Sequence, residues 1–134
     1  MSHKVIDTDK APRAVGSYSQ AIESDGTVFL SGQIPLDPVT MERVHGSFDA
    51  QLTAVFENFR NVVEAAGGQL ADVVKITVYL TDLANYPQVN EIMGRFFETP
   101  YPARAVIGVS ALPLDSPVEV EGVMILGSGS SYTY

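Results

Sequence analysis

Val73-Val74-Lys75-Ile76-Thr77-Val78-Tyr79-Leu80 is the stretch on which the fold turns. Its β-branched and aromatic residues predict a strand, with Val74, Ile76, Val78 and Leu80 on one face. The opposite face carries Val73, Lys75, Thr77 and Tyr79, a single charge rather than a row of them. A strand with one wet face should alternate cleanly between apolar and polar residues, and this one is apolar at most positions of both. Val118 to Leu126 is nearly as apolar. Both strands therefore call for cover on two sides.

Working outward, the chain supplies two helices for that cover. Ser47 to Ala66 places Phe48, Leu52, Val55, Phe56, Phe59, Val62, Val63 and Ala66 at helical spacing, forming one wide apolar face. Ser47 can cap its first turn, and Gly67-Gly68 can stop it in the left-handed conformation. A second helix is expected over Leu83 to Phe97, with Tyr86, Val89, Met93, Phe96 and Phe97 inward. Upstream, Ser17 to Glu23 and Thr27 to Ser31 read as strands around an Asp25-Gly26 hairpin turn. A short segment around Val5 and a loop from Ala11 to Gly16 precede them, and Gly32 to Gly46 is a long irregular connection. Ala103 to Val109 and Val118 to Leu126 complete a β-β-α-β-α-β-β pattern. This is an α+β domain over residues 1–126, with both helices on one face of a mixed sheet. The tail, Gly127 to Tyr134, is Gly/Ser-rich, reads as a flexible linker and takes no part in the fold.

Two helices on one face leave the other bare. No residues remain to cover it, so the expected cover is a further copy of the chain in a closed homo-oligomer.

The 134 residues suit one domain, and 46% hydrophobic against 18% charged residues predicts a real core. Sixteen acidic residues against eight basic ones, net −8, disfavour nucleic acid and anionic membrane as partners. With no cysteine, thiol nucleophiles, Cys-ligated metals and disulfides are excluded. The opening Met1-Ser2-His3-Lys4 lacks the apolar core of a signal peptide, and no run approaches a membrane span, so a cytoplasmic, soluble protein is expected. His3 and His45 stand alone and read as solvated, leaving no metal ligand set. No phosphate-binding glycine loop or nucleophile elbow occurs, which leaves cofactor-free chemistry or pure binding.

Arg104 is the sharpest candidate, in the otherwise small and apolar Tyr101-Pro102-Ala103-Arg104-Ala105-Val106. It is either a surface arginine lying along the sheet or a planar fork for a ligand carboxylate. Glu119 and Glu121 share one face of the last strand. One of them can serve a salt bridge at an interface, and the other can orient a water or take its proton. Their pattern alone does not choose between them. Ser31-Gly32 is a strand-end turn whose glycine permits close approach of a ligand to the backbone. Tyr18 is an ordinary half-buried strand tyrosine or a stacking surface, and Asn90 sits mid-helix, where its amide wants a partner.

Several blocks together resemble the RidA family, also called the YjgF family. They are Ala11-Pro12 with Gly16-Ser17-Tyr18-Ser19-Gln20-Ala21, then Leu30-Ser31-Gly32-Gln33-Ile34-Pro35, and Glu64-Ala65-Ala66-Gly67. Val73 to Leu80, Val89-Asn90, Pro102-Ala103-Arg104 and Val118-Glu119-Val120-Glu121 follow, so the likeness runs from about Val5 to Leu126. It implies a chorismate-mutase-like fold, a homotrimer with clefts between subunits, and no metal or organic cofactor. The implied activity is hydrolysis of 2-imino acids and enamines, such as 2-aminoacrylate and its tautomer 2-iminopropionate, to 2-keto acid and ammonia. In this resemblance Arg104 matches the arginine that binds the substrate carboxylate, and Glu119 the glutamate that places the attacking water. Tyr18, Ser31, Gly32 and Asn90 match positions lining the cleft. Val106 stands where many members carry a cysteine, which makes the expected pocket floor more apolar, and Val120 replaces a larger aliphatic residue. Competing readings are a non-catalytic trimer that binds small carboxylates, and a ribonuclease or translation inhibitor, which the acidic surface disfavours.

Overall fold

The computed structural model describes residues 3–127, so the tail expected to be flexible lies outside the described residues beyond Gly127. Its elements are β1 (Lys4–Ile6), β2 (Ala21–Ser24), β3 (Thr27–Gln33), α1 (Phe48–Ala65), β4 (Val73–Leu80), α2 (Tyr86–Phe96), β5 (Ala103–Gly108) and β6 (Val118–Ile125). The strands form one six-stranded sheet in the order β1-β2-β3-β6-β4-β5. All pairings are antiparallel except β4 with β5, which α2 connects as a β-α-β crossover. This is the α+β architecture expected, with the segment around Val5 added as an edge strand.

Local chemistry explains the element boundaries. Asp25 and Gly26 both have positive φ, 52° and 84°, the geometry a two-residue hairpin turn demands. The Ser47 hydroxyl accepts the Ala50 N–H at 3.1 Å and so caps α1. At the other end Gly67 turns left-handed at φ 94°. The Gly68 N–H then reaches the Val63 carbonyl and the Gly67 N–H that of Glu64, closing a Schellman motif.

The core lies between the helices and one sheet face. Leu52, Val55, Phe56, Phe59, Val62 and Val63 of α1 meet Val28, Leu30, Ile76, Val78, Leu80, Val118, Val120 and Met124, all nearly or fully buried. Phe59 seats directly over Gly122, where an added Cβ would come within 2.9 Å of its ring. Val89, Ile92 and Met93 of α2, with Phe97 just beyond it, close the end of this layer.

Four expectations need correction. Val74 does not join Ile76, Val78 and Leu80 inward. The register against β6 slips between Val73 and Lys75, a bulge that turns Val74 outward to 44% exposure. Ser17 to Gln20 is not strand, because the buried Gln20 side chain donates to the carbonyls of Thr8 and Pro12 and accepts from the Thr8 N–H, so this segment serves to anchor the preceding loop. Tyr86 is not inward either. It opens α2 at 42% exposure, with its ring and hydroxyl engaged by Arg104. The second helix itself begins three residues later than expected, after a 3-10 turn at Leu83–Asn85.

The sheet face away from the helices is bare and apolar in part, with Phe29 53% and Ile107 43% exposed. Among the described residues no helix is long and apolar enough to cross a membrane.

Candidate functional site

The expected site residues fall into two groups. Glu119 and Glu121 project from β6 on the bare face, because their neighbours Val118, Val120 and Gly122 take the buried positions. Next to them the pairing of β3 with β6 is irregular between Leu30 and Gln33, and that irregularity places Ser31 and Gly32 against Glu119. A Cβ at Gly32 would collide with the Glu119 Oε2 and lie 2.8 Å from its Cδ, so only glycine lets the carboxyl occupy this place. The Ser31 hydroxyl donates to the Ser19 carbonyl at 2.6 Å and its N–H to the Gln20 carbonyl, tying the Tyr18 segment to the strand. Tyr18, Ser31, Gly32, Glu119 and Glu121 line a cleft of about 700 Å³. Arg13, Met41 and Leu114 also face it.

The two glutamates differ. The Tyr79 hydroxyl donates to the Glu121 carboxylate at 2.6 Å. Glu119 makes no hydrogen bond or ion pair through its side chain among the described residues. Burial, and then the neighbouring Glu121 charge, push its carboxyl above the usual range for glutamate. The same bond to Glu121, with burial, raises the Tyr79 phenol.

Arg104 and Asn90 form the second group. Arg104 pairs with Ile76 across β5 and β4, and so faces the helix layer. Its guanidinium donates to the Tyr86 hydroxyl at 2.9 Å, lies 5.4 Å from the Tyr86 ring centroid, and contacts the Met93 sulfur at 3.6 Å. It has no carboxylate partner among the described residues. Asn90, Met93, Gly94, Tyr101, Pro102 and Arg104 line a smaller cleft of about 370 Å³.

A single chain thus separates what the sequence reading brought together. Tyr18, Ser31, Gly32 and Glu119 share one cleft, Asn90 and Arg104 another, and β4 runs between the strands of Glu119 and Arg104 with the two side chains on opposite faces. Val106 lines neither cleft but packs against the core, so the more apolar pocket floor expected there is not found within one chain. Tyr79, Tyr86, Tyr101, Arg13, Met41 and Leu114 were missed as site residues. Tyr101 had a signal, its place in the small apolar run before Arg104. Met41 and Leu114 had none, because nothing in their type announces a left-handed backbone. His3 and His45 are exposed, and no three His, Asp or Glu side chains among the described residues group as metal ligands.

Residues 8–126 match the family described as Endoribonuclease L-PSP. The protein DfrA of Myxococcus xanthus is 48% identical over 93% of this chain and 97% of its own length. The human 2-iminobutanoate/2-iminopropanoate deaminase is 42% identical, over 92% of this chain and 90% of its own. The crystal structure of RidA from the Antarctic bacterium Psychrobacter sp. PAMC 21119 superposes with a TM-score of 0.89 at 50% identity, covering 92% of this chain and 99% of that one. With a match across nearly all of the described residues and relatives well above 30% identity along their whole lengths, the chain belongs to the Endoribonuclease L-PSP family, the RidA family that its sequence resembles.

Proposed function

We propose that this protein hydrolyses 2-imino acids and their enamine tautomers to 2-keto acids and ammonia, in clefts assembled from two copies of the chain within a homotrimer. The observation that carries the reading is the pair of incomplete clefts. One presents a guanidinium with no carboxylate partner, and the other the Glu119 carboxyl, which no cation or hydrogen-bond donor among the described residues engages. Joined, they form a site for a small molecule with a carboxylate at one end and an electrophilic carbon at the other. The bare apolar face around Phe29 and Ile107 supports the assembly that would join them.

In that site Arg104 grips the substrate carboxylate through its planar fork, with Tyr86 holding the guanidinium in place and Asn90 beside it. Glu119 orients a water toward the imine carbon and takes its proton as the C–O bond forms and the C=N π electrons move to nitrogen. The same proton then passes to the nitrogen, giving a carbinolamine; Glu119 next carries the proton of the new hydroxyl to that nitrogen, the C–N bond breaks, and ammonia leaves as the carbonyl closes. A carboxyl whose affinity for protons is raised toward the working pH suits both steps. For an enamine, protonation at the terminal carbon gives the imine first. Because the imine carbon is already electrophilic, orientation and a placed water supply most of what is needed.

The test generates 2-aminoacrylate in situ with a serine-consuming enzyme and follows pyruvate. Added protein should accelerate its appearance, and Arg104→Ala should remove the gain. Equal rates with and without protein would refute the proposal. The family description also names an endoribonuclease. That reading requires a surface attractive to phosphates, whereas this chain carries a net charge of −8.

A further inference from the structure

Two of the four described non-glycine residues with positive φ line the Glu119 cleft: Met41 at φ 64° and Leu114 at φ 55°. Asp115, next to Leu114, is left-handed as well at φ 58°. Leucine and methionine pay for this conformation in steric strain of roughly 1–2 kcal/mol per residue, and such residues persist only where their surroundings enforce them.

Arg43 does the enforcing. It lies on the loop that carries Met41, and its Nη1 donates to the Asp115 carbonyl at 2.8 Å and the Leu114 carbonyl at 3.4 Å. Its Nη2 donates to the Gln51 side chain on α1 at 2.6 Å, and Gln51 in turn donates to the Gly46 carbonyl. The Met41 loop is closed by the Met41 N–H on the Asp37 carbonyl and by the Leu36–Arg43 bridge. One arginine therefore locks two loops, distant in sequence, at the mouth of the same cleft.

What this arrangement presents is apolar. Leu114 is 62% exposed and lines the cleft together with Glu119, Gly32, Ile34 and Leu36. A glycine would adopt φ 55° without strain. Retaining a leucine there makes sense where its side chain touches something.

We infer that Leu114 and Met41, held by Arg43, form a specificity wall that receives the side chain of the substrate and favours 2-imino acids with branched apolar side chains over the three-carbon one. The inference rests on the proposed deaminase reading for its choice of ligand. Arg43 is a positioning residue and touches no substrate.

The experiment measures binding as well as turnover, so the two ideas fail separately. The probes are 4-methyl-2-oxopentanoate and pyruvate, titrated calorimetrically into the native assembly, and the corresponding imines generated in situ for kinetics. Leu114→Gly should weaken binding of the branched keto acid about tenfold, the scale of losing one apolar contact group, and pyruvate by less than about twofold. KM for the branched imine should rise in parallel, and by clearly more than KM for 2-iminopropionate. Leu114→Asn, which tolerates left-handed backbone while removing the apolar surface, should behave the same way, and this separates the side chain from any loosening of the loop. Equal losses for both keto acids, no loss for either, or a change in assembly mass in both variants would overturn the wall. Absence of turnover with any imine would sink the deaminase reading, while a selective loss of branched keto acid binding would still sustain the wall.

Discussion

The Tyr79 hydroxyl donates to Glu121 at 2.6 Å, and Tyr79 is also the cross-strand partner of Glu119. One phenol thus donates to one carboxyl beside another whose side chain has no ion pair or hydrogen bond among the described residues. Burial is the larger cause of the upward shift at Glu119, and the Glu121 charge the smaller. Glu121→Gln should therefore lower the Glu119 pKa part of the way, leaving the contribution of burial. A carbon-detected NMR titration of the Glu119 carboxyl reads this directly, and an unchanged midpoint would contradict it.

The same shift has a consequence for stability. A carboxyl with a raised pKa in the fold binds more protons there than in the unfolded chain, so its contribution is fully present below the ordinary glutamate value of 4.5 and is lost as pH rises through the folded value. Replacing Glu119 with Gln should flatten the decline of Tm with rising pH in that window. Thermal melts of the two proteins across the weakly acidic range measure it, and parallel curves would count against the assignment.

Gly32→Ala should damage function far more than folding. The new Cβ would collide with the Glu119 carboxyl, the flexible end of a side chain that can swing aside. The expected stability loss is about 1 kcal/mol, ordinary for a point substitution, while the displaced carboxyl should cost on the order of 100-fold in kcat, the usual scale of an acid–base group. Circular dichroism melts and the coupled assay separate the two effects.

Arg104 and Glu119 belong to different clefts of one chain, which predicts complementation. Arg104→Ala and Glu119→Ala should each be inactive. Unfolded together and refolded as mixed assemblies, they should recover about one quarter of wild-type activity, because random association reunites an intact arginine with an intact glutamate in that share of clefts. Light scattering should give three times the 14.4 kDa chain mass. No recovery in demonstrably mixed assemblies would mean the two residues never share a site.

Phe59→Ala should cost about 3–5 kcal/mol, since the ring is fully buried against Gly122 and the sheet cannot collapse into the gap. Ser47→Ala, losing only the N-cap of α1, should cost about 1 kcal/mol. Chemical denaturation of both variants checks the contrast.

Much of this could be read along the chain. The two faces of α1, its Ser47 cap and its Gly67 stop, the Asp25-Gly26 turn and the alternation of Val118 to Met124 are contacts between near neighbours, and periodicity reports such contacts faithfully. The apolar character of both faces of the Val73 to Leu80 stretch likewise pointed to a sheet with one face left uncovered by its own helices.

Other features depend on partners remote in sequence, and no local pattern encodes those. The bulge at Val74 exists only in the register against Met124 and Val123. The outward turn of Tyr86 depends on Arg104, eighteen residues away, and the left-handed Leu114 on Arg43, which lies seventy-one residues before it. The amino-acid sequence by itself determined the elements, the core and the residue types able to do chemistry, because these follow from spacing and polarity. Only the tertiary structure decided that Arg104 and Glu119 point to opposite sides of one sheet, because the side on which a strand residue projects is set by long-range pairing.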